Sequence, residues 1–143
     1  MINYNKEFKI FHLQGKGYSY IMCVGVNGFL QHLYYGAKVK DVDALYLSEK
    51  VGKPQDSNCA DNARDVRTNE LWSEFSSFGR GDYHEPCALI RRTDGSVMSL
   101  FRYASHSVVD GAPVLDGLPH TRYGEQTLCI KLRDDFSDVE IAL

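Results

Sequence analysis

Tyr18-Ser19-Tyr20-Ile21-Met22-Cys23-Val24-Gly25-Val26-Asn27-Gly28-Phe29-Leu30-Gln31-His32-Leu33-Tyr34-Tyr35 decides the fold class. Two runs rich in aromatic and β-branched residues flank Asn27-Gly28, a dipeptide suited to the left-handed backbone of a type I′ hairpin turn. The pattern predicts a strand from Tyr18 to Val26 and its return from Phe29 to Tyr35, stopped by Gly36. Upstream, Phe8 to Leu13 alternates, with Phe8, Ile10 and His12 on one face and Lys9, Phe11 and Leu13 on the other. Gly15-Lys16-Gly17 turns that run into Tyr18, so the first 36 residues read as an antiparallel meander.

Strand signals return in the second half. Cys87 to Arg92 leads to an Asp94-Gly95 turn, and Val97 to Val109 is a long alternating run ended by Asp110-Gly111. Pro113, Gly117 and Pro119 keep the next segment at a sheet edge, because proline gives no N–H to a central ladder. Thr127 to Leu132 and Asp138 to Leu143 form a last pair around Asp134-Asp135. This density of short strands predicts an all-β, antiparallel β-sandwich. One short helix is expected near 68–75, with Thr68 as its N-cap and Leu71, Trp72 and Phe75 on one face. Val139-Glu140-Ile141-Ala142-Leu143 stops without a turn or charged tail, leaving an unpaired apolar edge. We therefore expect residues 1–143 to form one domain of a truncated chain, able to self-associate through that edge.

Between the two halves, residues 37–67 lose all periodicity, in a span longer than compact domains usually leave irregular. Such loops are functional or disordered. This one holds Asp56, Asp61, Arg64, Asp65 and Arg67, closely followed by Trp72. Arginine, carboxylate and an aromatic ring together suit sugar hydroxyls and a sugar's apolar face; a solvated mixed-charge loop is the plainer alternative. Ser77-Phe78-Gly79-Arg80-Gly81-Asp82-Tyr83-His84-Glu85-Pro86 reads as a shaped corner: two glycines free to take positive φ, an aspartate able to cap backbone N–H groups, and Phe75, Phe78 and Tyr83 to pack it down. His84 and Glu85 point to opposite faces of an extended chain, so they do not form an acid–base pair, and His84 is expected to be structural. His12 and His32 alternate with apolar neighbours as half-buried strand residues.

The bulk properties exclude several functions. A net charge of −3 with interspersed signs gives no basic face for nucleic acid. No apolar run spans a bilayer, and the N-terminus lacks a secretory h-region. Cys23, Cys59, Cys87 and Cys129 contain no close pair for zinc or a disulfide framework, and three lie in strand-like runs as small hydrophobes. A cytoplasmic location is expected, without metal or cofactor. Motifs for serine nucleophiles, phosphate loops and zinc proteases are missing.

Several segments together resemble a known family. They are Phe11-His12-Leu13, Ser19-Tyr20, Gly28 to Gly36, Glu74 to Pro86, Asp94-Gly95-Ser96, Phe101-Arg102-Tyr103, Ser105-His106, Gly111-Ala112-Pro113 and Leu115 to Pro119. In order and spacing they resemble the N-terminal domain of bacterial α-galactosidases of glycoside hydrolase family 36. The resemblance implies a β-supersandwich ahead of a (β/α)8 barrel. Two barrel aspartates there hydrolyse terminal α-galactosyl groups with retention, one as nucleophile and one as acid/base. Neither falls within this chain, so no catalytic residue is expected here and the fragment alone should be inactive. In tetrameric members, an arginine and an aspartate of this domain close a neighbouring subunit's active site. Counting back from Glu74, Arg64 matches that arginine; Asp56 is the chosen acid and Asp61 its competitor. The implied partners are α-galactoside sugars and further copies of the chain. A free-standing carbohydrate-binding or assembly module of the same fold is the alternative.

Overall fold

The computed structural model describes residues 1–25, 28–40, 47 and 68–143. Seven strands follow in chain order: β1 (Ile2–Asn5), β2 (Ile10–Gln14), β3 (Tyr18–Val24), β4 (Leu30–Ala37), β5 (Phe101–Asp110), β6 (Gln126–Asp134) and β7 (Glu140–Ala142). The first four form one antiparallel sheet in the order β1-β2-β3-β4, and the last three form a second in the order β5-β6-β7. The meander is as expected, with β1 as an added strand that pairs Ile2–Asn5 against Leu13–Ile10.

The sheets share one core. Phe11, Met22, Val24 and Leu30 from the first meet Phe101, Ile130 and Leu132 from the second. Phe11 is wholly buried, with Tyr4 stacked on it at 4.6 Å between ring centroids. A second cluster, Ile10, Ile21 and Cys23, covers the other face of β2 and β3, joined by Phe8, Leu33, Tyr34 and Val39. Both faces of these strands are therefore buried, which is why Ile21-Met22-Cys23-Val24 reads as a continuous apolar run. A bulge opposite Ile21 and Met22 leaves Leu33 without a partner in the β3–β4 register. The added residue lets Leu33 and Tyr34, neighbours in sequence, both pack on the second cluster. Burial raises the Cys23 thiol pKa to about 11, so this cysteine is an inert hydrophobe.

The β3–β4 connection is wider than a two-residue turn. Strand pairing ends at Val24 and Leu30; Gly25 N–H donates to Phe29 O (2.8 Å), and Gly28, at φ 80°, donates to Gly25 O (3.1 Å). Phe29 is drawn inward to pack with Leu71 and Leu100 in a small third cluster. Its burial is the physical reason for the longer loop.

The helix expected near 68–75 shrinks to a single 3-10 turn, Thr68–Glu70. Thr68 Oγ1 donates to Arg80 O (3.1 Å) and so ties the turn to the glycine corner. The chain then runs along β4: His32 N–H donates to Trp72 O (2.6 Å), Glu74 N–H to Leu30 O (3.0 Å), and Ser73 bridges Gln31. Edge pairing overrides a weak helical preference and covers an otherwise bare edge. Leu71 is buried, Phe75 packs edge-on to Phe101 (5.3 Å), and Trp72 is 76% exposed, so the three share no face.

Cys87 to Arg92 forms no strand, and Cys87 is exposed. Its turn is present nonetheless: Arg92 N–H donates to Ser96 O (2.9 Å) around Gly95 at φ 86°. Residues 112–125 form a connection without strand pairing, rather than an edge strand, and expose Val114, Leu118 and Tyr123. Beneath it β5 and β6 close directly, Asp110 opposite Gln126. β7 pairs with β6 on one side, and Leu143 exchanges both backbone bonds with Ile130 (2.9 Å each).

Candidate functional site

A cleft of about 670 Å³ opens where the 68–76 segment crosses β4. His32, Asn69, Glu70, Trp72, Glu74 and His84 line it, with Leu71, Ser73 and Ser76. Three elements supply these groups: β4 gives His32, the edge segment gives residues 69–76, and the glycine corner gives His84.

Each polar group is held from behind. Glu74 accepts the Tyr20 hydroxyl at Oε1 (2.6 Å) and the His32 Nδ1–H, also at Oε1 (2.9 Å). Tyr20 and His32 meet edge to face at 5.1 Å, which fixes the imidazole plane. Burial first, and then the hydrogen bond and charge of Glu74, push the Tyr20 pKa well above the ordinary tyrosine value, so this hydroxyl stays a donor. Glu70 Oε1 is buried and has no hydrogen-bond partner among the described residues.

The corner is built as its sequence implies. Gly79, Arg80 and Gly81 all take positive φ, at 89°, 55° and 77°. The reversal brings Asp82 N–H back to Gly79 O (3.2 Å). The Asp82 carboxylate accepts Ser77 N–H (3.1 Å), His84 N–H (3.1 Å) and His84 Nδ1–H (2.7 Å). His84 is thus held to the corner through Nδ1, and the ring points its remaining nitrogen away from Asp82. Ser77 Oγ accepts Phe101 N–H (3.1 Å) and Ser99 N–H donates to Phe78 O (3.0 Å), so the corner is docked on the approach to β5. Tyr83, however, is 75% exposed and Phe78 is also exposed; of the three aromatics expected to pack, only Phe75 does.

Comparison with known proteins assigns the fold. The family model described as the glycosyl hydrolase family 36 N-terminal domain matches residues 28–143. The chain belongs to this family. The α-galactosidase Mel36A of Lactobacillus acidophilus is 33% identical across the whole chain, which spans 20% of that relative's length. The bifunctional α-galactosidase/sucrose kinase AgaSK of Mediterraneibacter gnavus is 32% identical over 99% of the chain, which covers 16% of it. Among solved structures, the family 36 α-galactosidase AgaB of Geobacillus stearothermophilus superposes with a TM-score of 0.86 at 31% identity, over all of this chain and 20% of that one. AgaA of the same organism, solved with raffinose, superposes at 0.83 with 31% identity over 94% of this chain and 19% of its own.

Of the candidate residues of this family 36 domain, Arg64, Asp56 and the competing Asp61 lie outside the described residues. Trp72, singled out as their aromatic companion, lies within them and lines the cleft. No group of three or more His, Cys, Asp or Glu side chains is placed to hold a metal among the described residues, and no helix among them is long and apolar enough to cross a membrane. Sequence reasoning missed the Tyr20–Glu74–His32 constellation. His32 and Glu74 are 42 positions apart, and the helical spacing of the segment carrying Glu74 hides its pairing with β4.

Proposed function

We propose that this chain is the non-catalytic N-terminal domain of a retaining α-galactosidase that removes terminal α-galactosyl groups from oligosaccharides. The family match over residues 28–143 carries this reading, together with relatives named α-galactosidases of which the chain spans about a fifth. In this reading a (β/α)8 barrel beyond Leu143 supplies both carboxylates, and the present domain gives it a rigid β-supersandwich partner. Retention requires two carboxyl groups about 5 Å apart across the glycosidic bond, one attacking the anomeric carbon and one moving the proton. Among the described residues, the closest site-like acids, Glu70 and Glu74, sit with one in a 3-10 turn and the other engaged by Tyr20 and His32, so neither is assigned that work. The full-length protein is a homo-oligomer in this account.

Arg64, with Asp56 as its acid, reaches across the subunit interface and binds hydroxyls of the galactoside in a neighbour's active site. The guanidinium fork suits adjacent hydroxyls held beside a carboxylate. The test is steady-state kinetics of full-length Arg64→Ala on raffinose. Loss of one charge-assisted contact should lower kcat/KM by roughly tenfold or more, about 1.4 kcal/mol or above. Unchanged KM and kcat would sink the assignment.

A further inference from the structure

We propose that the cleft under Trp72 is a binding subsite for a neutral pyranoside, built from described residues alone. Four observations converge on it. Trp72 is the chain's one tryptophan, and the edge pairing of its backbone holds it 76% exposed at the cleft wall. A large aromatic ring kept in water forgoes its burial energy, and an amphipathic ligand laid against its face recovers it. The volume, about 670 Å³, falls within the roughly 300–1,000 Å³ of small-molecule sites.

The polar lining suits a polyol. His32 and His84 each commit Nδ1–H to a carboxylate, Glu74 and Asp82 respectively, and that bond fixes each ring. In each ring the remaining nitrogen is Nε2, which accepts a hydroxyl proton on the neutral imidazole and donates to the hydroxyl oxygen on the protonated one. Hydroxyl groups satisfy both states. Glu70 Oε1 is a buried acceptor with no partner among the described residues. A buried acceptor left unmet destabilises the fold, and a hydroxyl donor reaching it would relieve that cost. An aromatic face, two fixed imidazoles and an unmet carboxylate oxygen are what a sugar ring requires: an apolar patch of C–H groups with hydroxyls around its rim. A purely apolar ligand would leave Glu70 unmet, and an anion would face the carboxylates of Glu70 and Glu74.

Because Trp72 is the sole tryptophan, the intact 143-residue chain carries its own reporter. Titration with methyl α-galactopyranoside and methyl α-glucopyranoside, followed by tryptophan emission and by acrylamide quenching, should give a saturable change and protection from quencher. Glu70→Ala keeps the reporter and should weaken that binding about tenfold or more; far-ultraviolet circular dichroism checks that its fold is retained. Trp72→Ala, at an exposed position, should abolish saturation-transfer NMR signals from the same sugars. Emission and quenching that stay constant up to high millimolar sugar would overturn the proposal. So would binding that Glu70→Ala and Trp72→Ala leave intact, or a response to tetramethylammonium with none to either sugar, which would make the cleft a cation site.

Discussion

Asp134 shows how a single side chain ties the Arg92 turn and the approach to β5 to the end of β6. Its carboxylate is buried and accepts Leu100 N–H (2.8 Å), Arg92 Nη2–H (2.6 Å) and the Ser137 hydroxyl. Burial pushes its pKa upward, but the bonds from Ser137, Leu100, Arg92 and the Phe136 backbone outweigh it and hold the carboxyl below its ordinary value. Asp134→Ala leaves the mostly buried Arg92 guanidinium without its carboxylate. It should lower unfolding free energy by about 3 kcal/mol in urea titrations, whereas a loss below about 1 kcal/mol would place the pair with ordinary surface bridges. The pH dependence has a definite sign. A carboxyl whose folded pKa is depressed stabilises the protein above its unfolded pKa of about 3.9, and that stabilisation is lost as pH falls through the folded value. The gap between wild type and Asp134→Ala should therefore be full at neutral pH and narrow only below about pH 4. The role of this aspartate was not legible in the sequence, where Asp134-Asp135 reads as a turn. Its partners Arg92 and Leu100 are distant in the chain, and no local pattern announces a pairing of that kind.

Strand identity was legible where alternation and turn chemistry agreed, as in β2, β3, β4, β5 and β6. It failed where tertiary contacts chose the backbone. Thr68 to Phe75 has helical spacing, yet the free edge of β4 captures residues 72–74 as an extended strip. Cys87 to Arg92 has strand-like composition, yet it lies outside both ladders. The glycine corner was legible because its conformation is enforced locally, by Gly79, Gly81 and the Asp82 cap. Gly79 and Gly95 allow a controlled test of that corner. Both hold nearly the same positive φ, 89° and 86°, but a Cβ at Gly79 would stand 3.1 Å from Met98 Cγ, while one at Gly95 meets nothing within 4 Å. Gly95→Ala should cost about 1–2 kcal/mol, the left-handed penalty alone. Gly79→Ala should lower the thermal midpoint further, by whatever the Met98 contact adds. Equal shifts in differential scanning calorimetry would show that Met98 yields without cost.

At the scale of the molecule, two sheets close on one core through Phe11, Met22, Phe101 and Leu132, and the outer face of the first sheet carries a second cluster. That architecture leaves the cleft on a rigid rim, where β4, its edge strip and the corner meet. The fold class and family were legible from the order of many short segments, none decisive by itself. The candidate site was legible in part. Trp72 stands out as an aromatic platform and His32 as a strand residue, while the helical spacing of the Glu74 segment hides the pairing of the two. The reading frame of the source gene past codon 143 decides whether this domain opens a longer α-galactosidase. The frame should continue for about four times the present length, in proportion to the 20% share of the relatives that this chain spans. That continuation should encode alternating strands and helices with two aspartates at strand ends. A stop codon directly after Leu143 would rule out an α-galactosidase parent and leave a free-standing domain, with the Trp72 cleft as its remaining candidate site.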